Sequence, residues 1–461
     1  MYGTSFMSEK MTLLNDLNDI LGDKGFFSGP VIPEASRSDE SRTGQHLPLA
    51  VMRPETVEQI SHCLALCHQA GQSVVTQGGM TGLAGGANPA VEDIVLSLSR
   101  FSGVEEIDPV GCTVTVRAGT ILETLQKSCA AENLTFPVDY GARGSCHVGG
   151  MVATNAGGLR TIKYGTVRAN VLGLEAVLPD GTVLTHLNKS TKDNTGLDLQ
   201  NLIVGSEGTI AVITRVVFRL FPAENIQHTA LCSLASAEAA VTFFNDAKKA
   251  LFLSAFEVMW PDYFDFNADL DGLKFFTDPA EMIVIIESTD VLEPFLEAAY
   301  EQGVLVDAVI PKSLAETQNI WNVRDGHRMD AALKPLMNFD VSTPIADMPE
   351  FVARCKTGIA EVYPTAQTFF FGHMGDGNLH AVVYVPDMAA QTYDTVLHAL
   401  DAVIYELVRD LGGSISAEHG IGTLKRDWLH YSRSAGEIAT MRAIKTALDP
   451  KGIMNPGKVY S

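Results

Sequence analysis

Apolar and polar positions follow two rhythms along this chain. Between residues 41 and 222, short β-branched runs at 73–76, 94–98, 113–118, 171–178 and 209–219 stand between Gly-rich turns, among them Pro179-Asp180-Gly181-Thr182. That pattern predicts strands bounded by turns. One helix is signalled inside it: Thr56 is followed three residues on by Gln59, a capping box, and Ile60, Cys63, Leu64 and Cys67 then fall on one helical face, which points them into a core. From 223 to 422 helical stretches near 236–250, 292–302 and 388–411 alternate with strand-like runs at 369–372 and 381–385. Near the end Ser434 and Glu437 form a second capping box, Ile438, Met441, Ile444 and Leu448 make a stripe, and Asp449-Pro450 stops the helix.

These elements predict an α+β chain in four parts: an N-terminal helical segment (1–40), a strand-rich domain (41–222), a second α+β domain (223–422) and a compact, turn-rich C-terminal segment (423–461). A chain of 461 residues buries a large core without staples. With 33 basic against 55 acidic side chains, a formal charge of −22, electrostatics oppose binding to nucleic acid or to anionic lipid. Apolar runs such as 283–286 are strand-sized, far short of the roughly eighteen residues of a membrane span. The first residues lack a basic region followed by an apolar one, so a cytoplasmic protein is expected. The seven cysteines contain no CxxC pair, which argues against a zinc ribbon, an iron–sulfur cluster or a disulfide framework.

Candidate chemistry begins with glycine. The stretch 78–86 (GGMTGLAGG) follows a predicted strand, and backbone without side chains lets successive N–H groups converge on an anion. It fits neither GxGxxG nor GxxxxGK[ST], so a nicotinamide fold or a nucleotide hydrolase is not supported. Two more such stretches, at 144–158 (GSCHVGGMVATNAGG) and 205–209 (GSEGT), exceed what turns require. Together they suit an extended, pyrophosphate-containing cofactor held by backbone at several points.

A second constellation lies in TFFFGHMGDGNLHAVVYV, where two strand-like runs flank Asp376-Gly377, a signal for a two-residue type I′ hairpin turn. Counting outward sets Gly375 opposite Asn378, Met374 opposite Leu379 and His373 opposite His380. Facing residues have Cβ atoms about 4.5–5.5 Å apart, close enough for two imidazoles to share a metal. Asn378 falls on the face of His380, while Met374 and Leu379 point into packing.

In their order and separations, TQGGMTGLAGGANP, GSCHVGGMVATNAGGLR, KYGTVRANVLGLEAVLPDGT, TKDNTGLDLQNLIVGSEGTIAVIT, FGHMGDGNLH, SAEHGIG and DPKGIMNPGK resemble the FAD-linked oxidases of the vanillyl-alcohol-oxidase type. Within that family GSCHVGGMVATNAGGLR and KDNTG are most similar to the D-2-hydroxyglutarate dehydrogenase branch. The resemblance implies an FAD-binding domain made of 41–222 with the C-terminal segment 423–461 packing back on it, and a substrate-binding cap, 223–422, between them. It implies FAD contacts from Gly78, Gly79, Thr81, Gly82, Cys146, Gly149, Gly150, Thr154, Asn155, Glu207, Gly208, Asn455 and Lys458. It also implies a divalent metal, Zn²⁺ first, on His373, His380 and Glu418, with His419 as the base; both residues of the Glu418-His419 pair can serve one site only if the backbone turns at Gly420 and Gly422. Arg324 matches an arginine that relatives use for a distal carboxylate; Arg328 and Asn378 are further candidates for substrate.

The expected activity is oxidation of a D-2-hydroxy acid, D-2-hydroxyglutarate foremost, by a metal-polarised hydroxyl, His419 as general base and hydride transfer to FAD. The alternatives are D-lactate, glycolate or D-malate as substrate, since Asn338 stands where that branch usually has lysine, or a metal-dependent hydrolase, which leaves the Gly-rich loops without a purpose. Electrons are expected to leave for an external acceptor, an electron-transfer flavoprotein or a quinone. A homodimer is left open.

Overall fold

A computed structural model describes residues 2–223, 227–386, 388 and 392–460. The chain divides into two compact units: the first is Met1–Gly158, Gly165–Ala223 and Glu418–Ser461, the second Leu159–Tyr164 and Glu224–Ala417. Residues 418–422, grouped with the cap in the sequence reading, fall with the first unit, where Ile421 and Gly422 donate their N–H groups to the Glu207 carboxylate.

In the first unit a four-stranded sheet runs Phe26–Ser28, Ala50–Met52, Ile94–Ser97, Val74–Gln77, its last three strands parallel. A five-stranded antiparallel sheet runs Val104–Asp108, Thr113–Arg117, Val212–Arg219, Val171–Val177, Val183–His186. The helix Val57–Ala70 starts where Thr56 Oγ1 accepts the Gln59 N–H and ends at Gly71, φ +66°. Its Ile60, Cys63, Leu64 and Cys67 are buried in one core with Leu13, Leu17 and Leu21 of the helix Tyr2–Leu21. The capping box of the helix Ala435–Leu448 closes in both directions between Ser434 and Glu437, and its stripe is half-buried. The tail rejoins the sheet through a parallel bridge from Val74 to Met454.

The second unit is built on a seven-stranded antiparallel sheet ordered Leu305–Val309, His228–Leu234, Met282–Ser288, Leu253–Met259, Gln367–Gly372, Asn378–Tyr384, Leu336–Ser342. Side chains alternate between its two faces. Phe256, Phe339 and Phe370 belong to one; there the helices Ala237–Ala250 and Tyr393–Asp410 bring Phe244 and Tyr405 against Phe256 and Phe339. Glu257, Asp340 and Phe371 belong to the other, which packs on the helix Pro261–Asp271, where Tyr263 stacks on Phe371 at 4.1 Å. The expected helix at 388–411 is realised as Tyr393–Asp410, residues 389–391 lying outside those described. Among the described residues no helix is long and apolar enough to cross a membrane.

Candidate functional site

In the first unit the strand Val74–Gln77 opens into the 78–86 loop, which borders a cavity of about 390 Å³ together with the helix Val148–Thr154 and the 205–209 turn. Gly78, Gly79, Thr81, Gly82, Cys146, Gly149, Gly150, Thr154, Glu207, Gly208 and Asn455 all line it. The glycines are needed for space. A Cβ on Gly79 would run into the Ser145 carbonyl and lie 2.9 Å from Cys146 Cα, and one on Gly149 would lie 2.7 Å from Ala118 Cβ. A Cβ on Gly150 would meet nothing within 4 Å, because that position faces the open cavity. Thr76 Oγ1 and His147 Nδ1, on two lining residues, are buried and have no hydrogen-bond partner among the described residues. A cradle of bare backbone with polar atoms awaiting a partner fits a ligand rich in acceptors and donors, as a dinucleotide is.

Two expected cofactor residues stand behind this lining. Asn155 caps the Val148–Thr154 helix at φ +52° and its Oδ1 accepts the Arg168 N–H at 2.9 Å. Lys458 is buried, and burial lowers its ammonium to about 8 against the partial support of Asp93, Asp39 and Glu207. Sequence reasoning missed Asp39, Tyr140 and His147, which also line the cavity. No spacing marks Asp39 or Tyr140, whereas His147 stands within the quoted Gly-rich stretch. Burial raises the Asp39 carboxyl and lowers the His147 imidazole.

The turn that Glu418 and His419 require is present: Gly420 takes φ +82°, Gly422 φ +51°, and both Glu418 and His419 line the same cavity. Glu207 holds this turn. Its carboxylate accepts the N–H groups of Ile421 and Gly422, each at 2.8 Å, and its carbonyl accepts Asn455 Nδ2 at 2.6 Å. Burial raises the Glu207 carboxyl, opposed by those two N–H groups and by Lys425 and Lys458.

In the second unit the hairpin differs from the expected one. Residue 380 pairs with Phe371, not with His373, and Met374–Asp376 form a 3₁₀ turn that ends at Gly377, φ +88°. A type I′ turn needs positive φ at both central residues; here Gly377 alone supplies it, and Asp376 instead accepts the Asn378 N–H at 3.1 Å. His373 lies just past the strand end, yet its ring still comes to His380, centroids 5.7 Å apart and 79° inclined. Met374 and Leu379 are buried, as expected.

Around the two rings stands a buried polar group. Glu257 Oε1 lies 2.7 Å from His373 Nδ1, and its Oε2 accepts Arg324 Nε at 2.8 Å and faces Nη2 at 2.7 Å. Arg324 Nη2 lies 3.2 and 3.3 Å from the two nitrogens of His373. Asp340, opposite His380 in the ladder, accepts Asn378 Nδ2 at 2.8 Å and the Ala417 N–H at 3.1 Å. Asn378 Oδ1 is buried with no hydrogen-bond partner among the described residues. Two buried carboxyls, Glu257 and Asp340, thus share this group with the Arg324 guanidinium, an excess of acid that favours a cation.

Arg324 is held inside this group, so its charge is shared with Glu257. Arg328 is exposed; it pairs with Asp271 at 3.2 Å and donates to the Leu270 carbonyl at 2.7 Å. Asn338 is exposed as well. Glu257 and Asp340 were missed as site residues. Their signal was a lone acid inside an apolar strand, LSAFEVM and LMNFDVS, which costs free energy unless the group is paired.

Comparison with known proteins agrees with both halves. The FAD binding domain family matches residues 48–186, and the C-terminal domain of FAD linked oxidases matches 224–459. Proteins named D-2-hydroxyglutarate dehydrogenase are similar over most of their length. That of Arabidopsis thaliana is 34% identical, over 96% of this chain and 80% of its own. That of Xanthomonas citri pv. viticola is 35% identical (90% and 89%), and that of Bos taurus 35% (92% and 79%). The plant and bovine proteins are named as mitochondrial and the bacterial one is not, so these relatives do not fix the compartment expected from the sequence. Among solved structures, alkyldihydroxyacetonephosphate synthase (TM-score 0.73, 16% identity, 96% of this chain and 84% of that one) shares the fold. So does p-cresol methylhydroxylase (0.73, 15%, 98% and 97%).

Proposed function

This chain belongs to the FAD-linked oxidases, in the branch of the D-2-hydroxyglutarate dehydrogenases, and from that premise we propose that it oxidises D-2-hydroxyglutarate to its 2-oxo acid with FAD and a divalent metal. The observation that carries the reading is the approach of the His373 and His380 rings, 5.7 Å between centroids, within a buried group richer in carboxyls than in cations.

Two imidazoles with a carboxylate suit Zn²⁺. His373 and His380 are the proposed ligands from the second unit. Glu418 as third ligand and His419 as base are carried forward from the sequence resemblance. A bound metal would act as a Lewis acid on the substrate hydroxyl, and bound FAD would accept the C2 hydrogen as hydride. His419 would take the hydroxyl proton on an imidazole nitrogen. Of the two arginines, Arg324 carries the proposal for a substrate carboxylate, by the sequence match and by its place beside His373, whereas Arg328 is exposed and turned to Asp271. In the cofactor cavity Thr76 Oγ1 and His147 Nδ1 are the side-chain atoms proposed to meet FAD. Electrons would then pass to an external acceptor such as an electron-transfer flavoprotein or a quinone.

The test is a panel of D- and L-2-hydroxyglutarate, D-lactate, glycolate and D-malate with an artificial electron acceptor, on protein whose flavin and metal have been quantified. The expected result is bound flavin, stoichiometric metal and fastest turnover of D-2-hydroxyglutarate. Equal rates on both enantiomers, or a colourless protein, would overturn the reading.

A further inference from the structure

The proposed chemistry leaves two fully buried acids of the second unit's polar group without a task, Asp340 and Glu257, and of the two it is Glu257 that bonds a ring nitrogen of His373. It sits in the strand Leu253–Met259, whose seven residues are all buried, between Phe256 on the opposite face and a ladder neighbour, Ile285. An ionised carboxylate in such a place is costly unless each oxygen is matched. Here both are. One oxygen takes His373 Nδ1 at 2.7 Å, the other takes the Arg324 guanidinium through Nε and Nη2 at 2.8 and 2.7 Å.

The pairing decides the chemistry of His373. An ionised carboxylate only accepts, so the ring nitrogen facing it must carry the hydrogen; in a neutral imidazole the other nitrogen, Nε2, then holds the lone pair. Arg324 Nη2 lies 3.3 Å from Nδ1 and 3.2 Å from Nε2; with Nδ1–H turned to Glu257 the guanidinium N–H can donate only to Nε2, and a cation bound there takes the place of that N–H. A histidine that binds a metal through one nitrogen while giving the other N–H to a carboxylate is the arrangement that fixes the tautomer, aims the ring and raises its basicity.

We propose that Glu257 is a positioning residue: it fixes the Nδ1–H tautomer of His373 and so presents Nε2 as the donor atom to a divalent cation, while Arg324 balances its charge. This rests on the reading of His373 as a metal ligand given above. The competing account makes Glu257 and Arg324 an ion pair that merely fills the sheet face. Charge-balanced variants separate the two. Glu257→Gln/Arg324→Met keeps an acceptor for Nδ1–H and Glu257→Leu/Arg324→Met removes it, and neither leaves a charge buried alone. Glu257→Asp keeps the charge and draws the carboxylate back by one methylene.

Each protein is purified with its FAD, stripped with a chelator, and titrated with Zn²⁺ against a chromophoric competitor, with the flavin spectrum and circular dichroism reporting the fold. The Leu/Met variant is expected to bind Zn²⁺ about 10- to 100-fold more weakly than the Gln/Met variant, and Glu257→Asp to fall between wild type and Leu/Met. Equal Zn²⁺ affinity in the Gln/Met and Leu/Met proteins would overturn the positioning role. If Leu/Met does not fold, wild-type affinity in Glu257→Asp overturns it instead. Failure of the wild type itself to bind Zn²⁺ would sink the metal reading beneath it, an outcome visible before any variant is made.

Discussion

Phe371 stands opposite His380 across the antiparallel ladder, and the two rings stack with centroids 4.9 Å apart and planes 28° apart. The other face of Phe371 is covered by Tyr263 at 4.1 Å, and the Arg324 guanidinium lies 4.9 Å from its centroid. His380 is therefore oriented by packing, whereas His373 is oriented by a carboxylate.

From this follows a test of the metal reading that leaves the fold intact. His380→Ala removes a proposed ligand from the end of a packed stack and leaves Phe371 on Tyr263. The variant is expected to retain FAD and its circular dichroism, to lose its bound metal, and to turn over D-2-hydroxyglutarate at least ~100-fold more slowly, the scale on which a lost ligand exceeds a lost orienting partner. Metal analysis beside the rate decides it: a metal-free variant with full activity sinks the role given to the cation.

The glycines of the cofactor cradle predict two different failures. Gly79→Ala puts a methyl group into the Ser145 carbonyl, so the protein itself must shift, and a lower melting temperature is expected even with the flavin removed. Gly150→Ala adds a methyl into open cavity. It is expected to leave the stability of the flavin-free protein within about 0.5 kcal/mol of wild type while weakening FAD retention. Flavin-to-protein absorbance ratios and thermal unfolding of the stripped proteins read the two effects apart; identical behaviour of both variants would refute the assignment of Gly150 to the lining.

How much of this was legible beforehand depended on the range of the interaction. Caps and stripes are local: Ser434 with Glu437 and the buried face of Ile60, Cys63, Leu64 and Cys67 stood where periodicity put them, and Thr56 caps its helix, although the Gln59 side chain accepts the Glu55 N–H and does not close the expected box. The glycine stretches were legible for the same reason, since bare backbone is useful only where something approaches it. The hairpin register was not, because Asp-Gly marks a turn without stating its length: a 3₁₀ turn before Gly377 moved the partner of His380 from His373 to Phe371. The convergence of the two rings survived because His373 left the ladder. Glu257 and Asp340 carried a signal, a lone acid in an apolar strand, that names no partner. What makes them part of the site is the identity of their partners, Arg324 and His373 in one case and Asn378 in the other, which come from separate elements.

Glu207 ties the 205–209 turn to the turn that follows His419, so its carboxylate is expected to matter for rate more than for cofactor binding. In Glu207→Gln the amide oxygen can accept one of the Ile421 and Gly422 N–H groups, but the –NH₂ confronts the other. Leaving a buried N–H unmatched costs about 1–3 kcal/mol. The expected outcome is a lower melting temperature and a reduced kcat, with FAD content unchanged because Thr76, His147 and the glycine cradle are untouched. Loss of flavin with an unaltered melting temperature would reverse this and make the Glu207 carboxylate a cofactor contact.

Lys458 predicts how stability responds to alkaline pH. Burial lowers its ammonium from 10.5 to about 8 in the folded protein, Asp93, Asp39 and Glu207 offsetting only part of that. Below pH 8 the group is charged in both states and the folded state bears the full cost. Between pH 8 and 10.5 the folded form releases the proton while the unfolded form keeps it, so the unfolded state binds more protons and stability rises with pH. At about 1.4 kcal/mol per pH unit the whole window amounts to roughly 3 kcal/mol at most. Lys458→Met has no proton to release, so the stability of wild type relative to the variant is expected to climb by about 2 kcal/mol between pH 8 and 9.5. Urea midpoints of the two proteins across that range measure the difference. A difference that stays flat would mean that the ammonium is solvated or fully paired, and the partial offset by its three carboxylate neighbours would then have to be complete.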